Sequence, residues 1–186
     1  MVKTAEKKDY LNTLANVHLP RWNELPDMDL YKDQVVSLIL RYLSAFSEEG
    51  QEIITPSMIN NYVKGKVVPA PSRRKQYGRP QLAGLIIVSL LKQVVSIADI
   101  KAGMESQQAL SGDEKAYDSF CDSFEQCASF AASKMKLADS RANLRVNADS
   151  RMTMSACLSC VFRLCALKQA EDQRQLIAKT KKDDGR

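Results

Sequence analysis

The chain has 186 residues, 45% of them apolar, and a formal net charge of +5, so one domain with an appendage or two small domains is expected. Seven glycines and six prolines are too few for an all-β or disordered chain. The N-terminus has no secretion-signal pattern, and the most apolar stretch, Leu82–Val95, is shorter than the roughly 18 residues of a membrane span, so we expect a cytoplasmic protein without membrane contact.

The chain opens with a polar leader and a short strap. Residues 1–20 are interpreted as a flexible leader, either mobile or forming a short peripheral helix. Prolines bracket the next residues, and this favours a strap that docks Trp22 and Leu25 on the body of the protein.

Two helices are predicted next. An apolar repeat at i, i+3 and i+4 over Asp29–Phe46 predicts an amphipathic helix, with Asp27 or Asp29 as its cap. Thr55 followed by a proline is typical of an N-cap and a first helical position, and it predicts a helix over Pro56–Lys64.

A loop and the central helix of the domain are predicted after these. Val67–Gly78 holds two prolines and three consecutive basic residues, which favours a loop or a short β-hairpin. The following helix, from Arg79 or Pro80 to Val95, is apolar around nearly its whole circumference and is expected at the centre of the domain. Ser96 is expected to cap a short helix that ends near Met104.

The last third of the chain predicts two longer helices. A capping box at Ser111–Glu114 is expected to open the first, with Phe120 and Phe124 on its inner face. Residues 138–147 are polar and predict a turn. The last helix is expected over Ala148–Ile177, with an inner face of Met154, Leu158, Val161, Phe162, Cys165 and Gln169, and residues 179–186 are expected to be a frayed tail.

All five cysteines lie in the last third of the chain. Cys157 and Cys160 have the spacing of half a zinc site, but the sequence offers no second ligand pair nearby, and its only histidine is His18 in the leader. The cysteines fall within helical apolar patterns, so we interpret them as buried structural residues. No metal and no cofactor are expected.

Positive charge is concentrated in one segment of the chain. Residues 1–52 sum to −3 and residues 99–186 to +1, whereas residues 53–98 contain no acid and sum to +7. Six of the seven basic residues in that segment fall between Lys64 and Arg79. A concentrated basic field attracts phosphates, which is the main indication of function.

The segment also contains side chains suited to contacts with DNA. Asparagine carboxamides such as those of Asn60 and Asn61 can pair bidentately with adenine, and basic and hydroxyl groups can donate to phosphates. The predicted DNA-binding residues are Thr55, Ser57, Asn60, Asn61, Tyr62, Lys64, Lys66, Arg73, Arg74, Lys75, Tyr77 and Arg79. The structural alternatives are a solvated basic face, asparagines that terminate a helix, and tyrosines that pack in the core.

These residues resemble a MerR-type winged helix-turn-helix. In that family a recognition helix with a tyrosine pair leads into a turn, a wing with Tyr-Arg, an apolar helix and a serine-capped helix. Here Tyr62 matches one tyrosine, Val67–Pro69 the turn, Tyr77 the wing tyrosine and Ser96–Ile100 the capped start. The chain departs from the pattern where Asn60 and Asn61 replace the usual arginine.

A more specific resemblance, over about residues 20–170, is to the YkrK-like bacterial family of unknown function, which has this MerR-like core. It depends on Trp22–Val35 and on Met58–Lys64. It implies a mainly α fold with a MerR-like winged helix-turn-helix over residues 21–108 and a C-terminal helical extension over residues 109–178, for dimerisation or ligand binding.

The expected function is therefore a sequence-specific DNA-binding transcriptional regulator of MerR-like type. The expected partners are double-stranded DNA and a second copy of the chain, with an unknown small-molecule effector as a further candidate. The alternative is a protein–protein interaction module on the same scaffold without DNA binding. An enzyme is not expected, because no nucleophile–base pair, metal cluster or phosphate-binding glycine loop is visible.

Overall fold

A computed structural model describes residues 10–47, 52–135, 143–146 and 148–183, with side chains described as far as residue 178. Seven α-helices and no β-strand lie within these residues, and short 3₁₀ turns cover Trp22–Glu24 and Ser44–Phe46. The helices are α1 (residues 10–15), α2 (Lys32–Tyr42), α3 (Pro56–Lys64), α4 (Arg79–Leu91), α5 (Ile97–Ser111), α6 (Asp113–Met135) and α7 (Arg151–Asp183). The prediction of a mainly α fold is confirmed.

Helix α4 occupies the centre of the domain, as its uniformly apolar sequence predicts. Ten consecutive residues, Leu82 to Leu91, are buried, and the helix contacts α2, α5, α6 and α7. Burying each large aliphatic side chain stabilises the fold by about 1.5–3 kcal/mol. The helix ends at Leu91 rather than Val95, because the amides of Val94 and Val95 both donate to the Leu91 carbonyl at 3.0 Å and close a turn.

Helix α2 is shorter than predicted at both ends. It begins at Lys32 rather than Asp29, because Leu30 forms an antiparallel bridge with Tyr77, with both N–O distances 2.9 Å. The expected aspartate cap is wrong: the amide of Tyr31 donates to Gln34 Oε1 at 2.9 Å instead. After Tyr42 the chain changes to a 3₁₀ turn.

Helix α3 has the predicted bounds and the predicted cap. The amide of Met58 donates to Thr55 Oγ1 at 3.2 Å, and a proline occupies the first helical position. Ile59 and Tyr62 point into the core. The chain between α2 and α3, residues 43–55, is longer than the three- or four-residue turn of a simple helix-turn-helix.

Helices α5 and α6 meet at a single residue. Ser96 accepts the Asp99 amide at 3.1 Å, which confirms its capping role, but α5 continues past Met104 to Ser111. The expected capping box at Ser111 is wrong, because Ser111 ends α5 and donates its hydroxyl to the Gln107 carbonyl. Gly112 adopts φ +80°, the left-handed region that glycine tolerates, and separates the two helices. The expected domain limit at residue 108 thus lies inside α5.

Helices α6 and α7 run in the same general direction. Cys127 Sγ contacts the Met154 carbonyl at 3.7 Å, and farther along both helices Gln169 contacts Met135 Sδ at 3.3 Å. The described residues of the linking segment, 143–146, are not helical, and the rest of the predicted turn lies mostly outside the described residues.

The predicted bounds and inner face of α7 need correction. The helix starts at Arg151 rather than Ala148 and continues beyond Ile177 to Asp183, while residues 184–186 of the expected tail lie outside the described residues. Phe162, predicted on the inner face, is exposed, and Leu158 is half-buried. The buried positions are Met154, Ala156, Cys157, Cys160, Val161, Leu164 and Cys165.

The strap and the described part of the leader are packed on the body of the protein. The leader is predicted to be either mobile or a short peripheral helix, and residues 10–15 form a helix, α1. Leu14 and Leu19 are buried. Tyr117 donates its hydroxyl to the Pro20 carbonyl at 2.8 Å, and the Trp22 amide donates to Asp118 at 2.8 Å. A single core cluster extends from Leu14 to Cys165, so the C-terminal helices share their core with the preceding ones.

The fold buries the cysteines of the last third of the chain. All five cysteines are buried, as predicted. Within the described ranges, no cluster of three or more potential ligand residues is arranged to hold a metal ion. None of the described helices is both long and apolar enough to cross a bilayer.

Candidate nucleic-acid interface

The outer face of α3 presents polar and basic side chains. Ser57, Asn60, Asn61 and Lys64 are exposed, while Ile59 and Tyr62 on the opposite face are buried. This division follows from helical periodicity, since residues three and four apart share a face. Four of the predicted DNA-binding residues therefore lie on one accessible helix surface.

A tight turn carries the chain from α3 into the basic loop. The amides of Val67 and Val68 donate to the Tyr62 carbonyl at 2.9 and 3.3 Å, and both valines are buried. Between them and the helix, Lys66 adopts φ +55°, a left-handed conformation that L side chains other than asparagine and aspartate rarely adopt. Lys66 is exposed by this turn.

The predicted wing is a loop without β-strands. Ser72 and Gln76 close its tip through a 2.8 Å hydrogen bond, and Lys75 within it adopts φ +59°. Pro69 and Pro71 have no amide hydrogen, and proline is disfavoured within strands, which fits a loop on this arm. Arg73, Arg74 and Lys75 are all exposed at the tip.

Both predicted tyrosines are core residues. Tyr62 and Tyr77 are buried, and burial raises the pKa of each phenol. Tyr77 is held by its backbone bridge to Leu30. These two residues therefore follow the structural alternative, in which the tyrosines pack in the core and their side chains are not available to a partner.

Three other residues of the acid-free segment have structural contacts. Thr55 is half-buried and caps α3, and Arg79 is half-buried with Nε donating to the Leu25 carbonyl at 3.1 Å. Lys92 donates to the Ile53 carbonyl at 2.7 Å. Burial lowers the Lys92 pKa, against an opposing effect of Glu52. Lys92 therefore anchors the chain that leads into α3.

Lys32 is a cation at this surface that the sequence pattern did not indicate. Its Nζ lies 2.6 Å from Asn60 Oδ1. Two residues earlier, Leu30 pairs with Tyr77 at the end of the basic loop. The start of α2 therefore adjoins both the outer face of α3 and the base of the loop. Sequence periodicity carries no signal for this contact, since Lys32 and Asn60 are 28 residues apart.

Five basic side chains of the segment have no partner within the described part of the chain: Lys64, Lys66, Arg73, Arg74 and Lys75. We define these five together with Ser57, Asn60 and Asn61 as the basic surface. One acidic residue, Asp29, lies beside Gly78 at the end of the loop, where its Oδ1 would be 2.9 Å from a Cβ added at Gly78. The surface can thus offer unneutralised charge and two exposed carboxamides to a polyanion.

Comparisons with known proteins give a family for the chain. A search of curated proteins and a search of solved structures returned no significant match. None of the comparisons shows a MerR-like or a YkrK-like relationship. The model of a family described as a domain of unknown function, DUF1836, matches residues 20–124. Because this match covers more than half of the 186 residues, the chain belongs to the DUF1836 family.

Proposed function

We propose that this protein is a sequence-specific DNA-binding transcriptional regulator of MerR-like type that contacts duplex DNA through the basic surface. The observation that carries the proposal is the group of five exposed cations from Lys64 to Lys75 without an acidic partner among the described residues. Five cations without an acidic partner create a concentrated positive field, and such a field attracts phosphates.

The backbone conformation of two of these cations supports the same proposal. Lys66 and Lys75 are the described non-glycine residues with positive φ, at 55° and 59°. Glycine or asparagine would occupy such positions at lower conformational cost. A lysine at each position places a long cationic side chain at the apex of a turn, which suits phosphate contact.

Within the basic surface, we assign base contacts to α3 and phosphate contacts to the loop. Asn61 is exposed and has no side-chain partner in the described chain, whereas the Asn60 oxygen accepts from Lys32. Asn61 is thus the better candidate for bidentate pairing with adenine, which contributes about 1–3 kcal/mol of discrimination. Arg73, Arg74 and Lys75 would neutralise phosphates beside the groove.

A binding assay over a range of salt concentrations tests the proposal. Duplex fragments selected from a random pool by the purified protein are titrated by fluorescence anisotropy. Five phosphate contacts predict a slope of log K against log salt of about −4.5. Replacing Arg73, Arg74 and Lys75 together with glutamine is expected to reduce the slope by about 2.7, since each contact contributes about 0.9.

A matched triple variant controls for total charge. Lys101, Lys115 and Arg151 lie in or at the start of α5, α6 and α7, outside the basic surface, and their replacement by glutamine lowers the net charge equally. This variant is expected to bind as the wild type does. Weak, salt-independent binding to all duplexes, or equal losses in the two triple variants, would refute the proposal.

A homodimer is proposed as the DNA-binding form, because readers of this kind act on paired half-sites. The last turns of α7 expose Leu176 and Ile177, which are 53% and 56% accessible. The same exposed pair favours the second candidate function, a protein-interaction module without DNA binding. Replacing Ile177 with glutamate separates the two functions. The regulator is supported if the wild type is a DNA-binding dimer and the variant loses both the dimer and the affinity for DNA. The module is supported if the wild type is a dimer that does not bind DNA.

A further inference from the structure

A cavity of about 70 Å³ lies where α4, α5, α6 and α7 converge. Its walls are mainly apolar and include Ile87 from α4, Met104 from α5, Phe120 from α6 and Ala156 from α7. An apolar cavity of roughly 150 Å³ can hold benzene. A cavity about half as large therefore suits a smaller apolar group, such as a short alkyl chain. Binding pockets commonly combine such walls with a few polar groups.

The charged groups that line this cavity are all acidic. Asp99 and Asp113 line it and are exposed, and no lysine, arginine or histidine is among its described lining residues. Asp99 accepts from the Ser96 hydroxyl at 2.6 Å, whereas the Asp113 carboxylate has no hydrogen bond or ion pair with the described residues. Trp22 and Tyr117 provide aromatic surface, which also attracts cations.

Flexible side chains border the cavity, so its size can adapt. Met104 is half-buried and Met152 is 51% exposed, and methionine changes rotamer at low cost. A Cβ added at Gly103 would lie 3.4 Å from Met152 Cε. Movement of these two methionines would admit a chain longer than the present volume allows.

The cavity wall also contacts the base of the basic loop. A Cβ added at Gly84 in α4 would lie 3.2 Å from Met104 Cε and 3.3 Å from Val68 Cγ2. Met104 and Val68 therefore approach α4 at the same residue, one from the cavity and one from the turn that follows α3. Since both side chains pack beside Gly84, a ligand that displaces Met104 would act on Val68 through this part of α4.

We propose that this cavity binds a small amphipathic amine, with its apolar body between α4, α5, α6 and α7 and its ammonium group beside Asp113 and Asp99. Binding displaces Met104 and, through the contact at Gly84, shifts Val68 and the loop that carries Arg73–Lys75. The site and its coupling do not depend on the proposed DNA binding, and their test uses no DNA.

The test is a titration followed by NMR of methionine and valine methyl groups in the full chain. The probe is n-butylammonium, compared with 1-butanol as a neutral analogue and butyrate as an anion of similar length. The expected result is a saturable shift of the Met104, Met152 and Val68 methyl signals with n-butylammonium, a weaker effect with 1-butanol and none with butyrate. Met28 and Met58, which do not line the cavity, are expected to remain unchanged.

Two variants with one matched control test the assignment. Asp113→Asn is expected to weaken n-butylammonium binding about threefold without changing that of 1-butanol, as a solvent-accessible ion pair predicts. Glu114→Gln alters the neighbouring acid outside the cavity and is expected to leave both unchanged. Gly103→Ala adds a methyl group at the cavity wall while favouring the helix, so weaker binding without a lower melting temperature is expected.

Equal shifts with n-butylammonium and butyrate, or equal effects of Asp113→Asn and Glu114→Gln, would overturn the assignment of an amine. The absence of saturable shifts with all three probes, or shifts centred on Met28 and Met58, would overturn the site. A shift of Met104 without one of Val68 would overturn the coupling.

Discussion

Arg21 joins the strap to α6 through a set of charged hydrogen bonds. Its two terminal nitrogens each lie 2.7 Å from an oxygen of Glu125, and one also lies 2.8 Å from Asp122. The other terminal nitrogen, Nη1, also donates to the Leu19 carbonyl at 2.9 Å. We predict that Arg21→Met destabilises the protein by releasing the strap from α6.

The magnitude follows from the burial of the pair. The side chains of Arg21 and Glu125 are 24% and 22% exposed, so the bidentate contact is partly desolvated. Hydrogen bonds to charged groups contribute about 1.5–3 kcal/mol, and the bond to Asp122, which is 67% exposed, contributes little. We expect a loss of about 2–3 kcal/mol in the free energy of unfolding. For a chain of this length the melting temperature would fall by roughly 4–12 °C.

The loss is expected to depend on pH through Glu125. Burial by itself would raise the Glu125 pKa, but the hydrogen bonds from Arg21 and the Leu19 amide outweigh it, so the pKa lies below the ordinary value of 4.5. A carboxyl with a lowered folded-state pKa contributes its stability above the unfolded-state pKa and loses it as pH falls through the folded-state pKa. The difference between wild type and Arg21→Met should therefore be constant near pH 7 and shrink below about pH 4.5.

Urea unfolding followed by circular dichroism at a series of pH values measures both effects. Arg21→Lys keeps the charge but not the planar fork and should lose about half as much stability. Lys101→Met removes the exposed contact with Glu105, at 3.7 Å, and should change stability by less than about 0.5 kcal/mol. A loss for Arg21→Met that is no larger than for Lys101→Met, or that grows as pH falls, would refute the reasoning.

Three further predictions concern the capping residue, the strained turn and the thiols. Thr55→Ala should lower stability by about 1 kcal/mol in thermal unfolding, whereas Ser57→Ala, at an exposed helical position, should not; equal effects would contradict the capping role. Lys75→Asn, at φ +59°, should leave the melting temperature unchanged or slightly raised, and a marked decrease would argue against a strained turn. Burial raises the pKa of Cys121 to about 12 and that of Cys127 to about 11, so a thiol reagent at pH 8 should modify the cysteines only after unfolding; rapid modification of the native protein would contradict this.

Local sequence signals predicted several elements well. Thr55 and the proline after it predicted both the start and the cap of α3, because an N-cap involves residues only three apart. The unbroken apolar run of α4 predicted its central position, since such a helix has no face suited to water. The buried state of the cysteines followed from the same helical periodicity.

Contacts between distant residues account for the errors. Helix α2 starts late because Leu30 pairs with Tyr77. The two residues are 47 positions apart in the chain, and no local pattern encodes their pairing. Lys92 counted as part of the basic segment, but its ammonium group is held by the Ile53 carbonyl. Tyr62 and Tyr77 have side chains suited to phosphate contact, yet the packing of α3 and the loop buries both.

The sequence by itself determined the segregation of positive charge, the periodicity of the helices and the caps of α3 and α5, because these depend on neighbouring residues. Only the tertiary structure decided which cations of the acid-free segment remain available. It engages Lys92 and Arg79 with backbone carbonyls, leaves the five cations of the basic surface exposed and places Lys32 beside Asn60. The physical reason is that burial and hydrogen bonding depend on which surfaces meet when the helices pack, and those surfaces come from residues far apart in the chain.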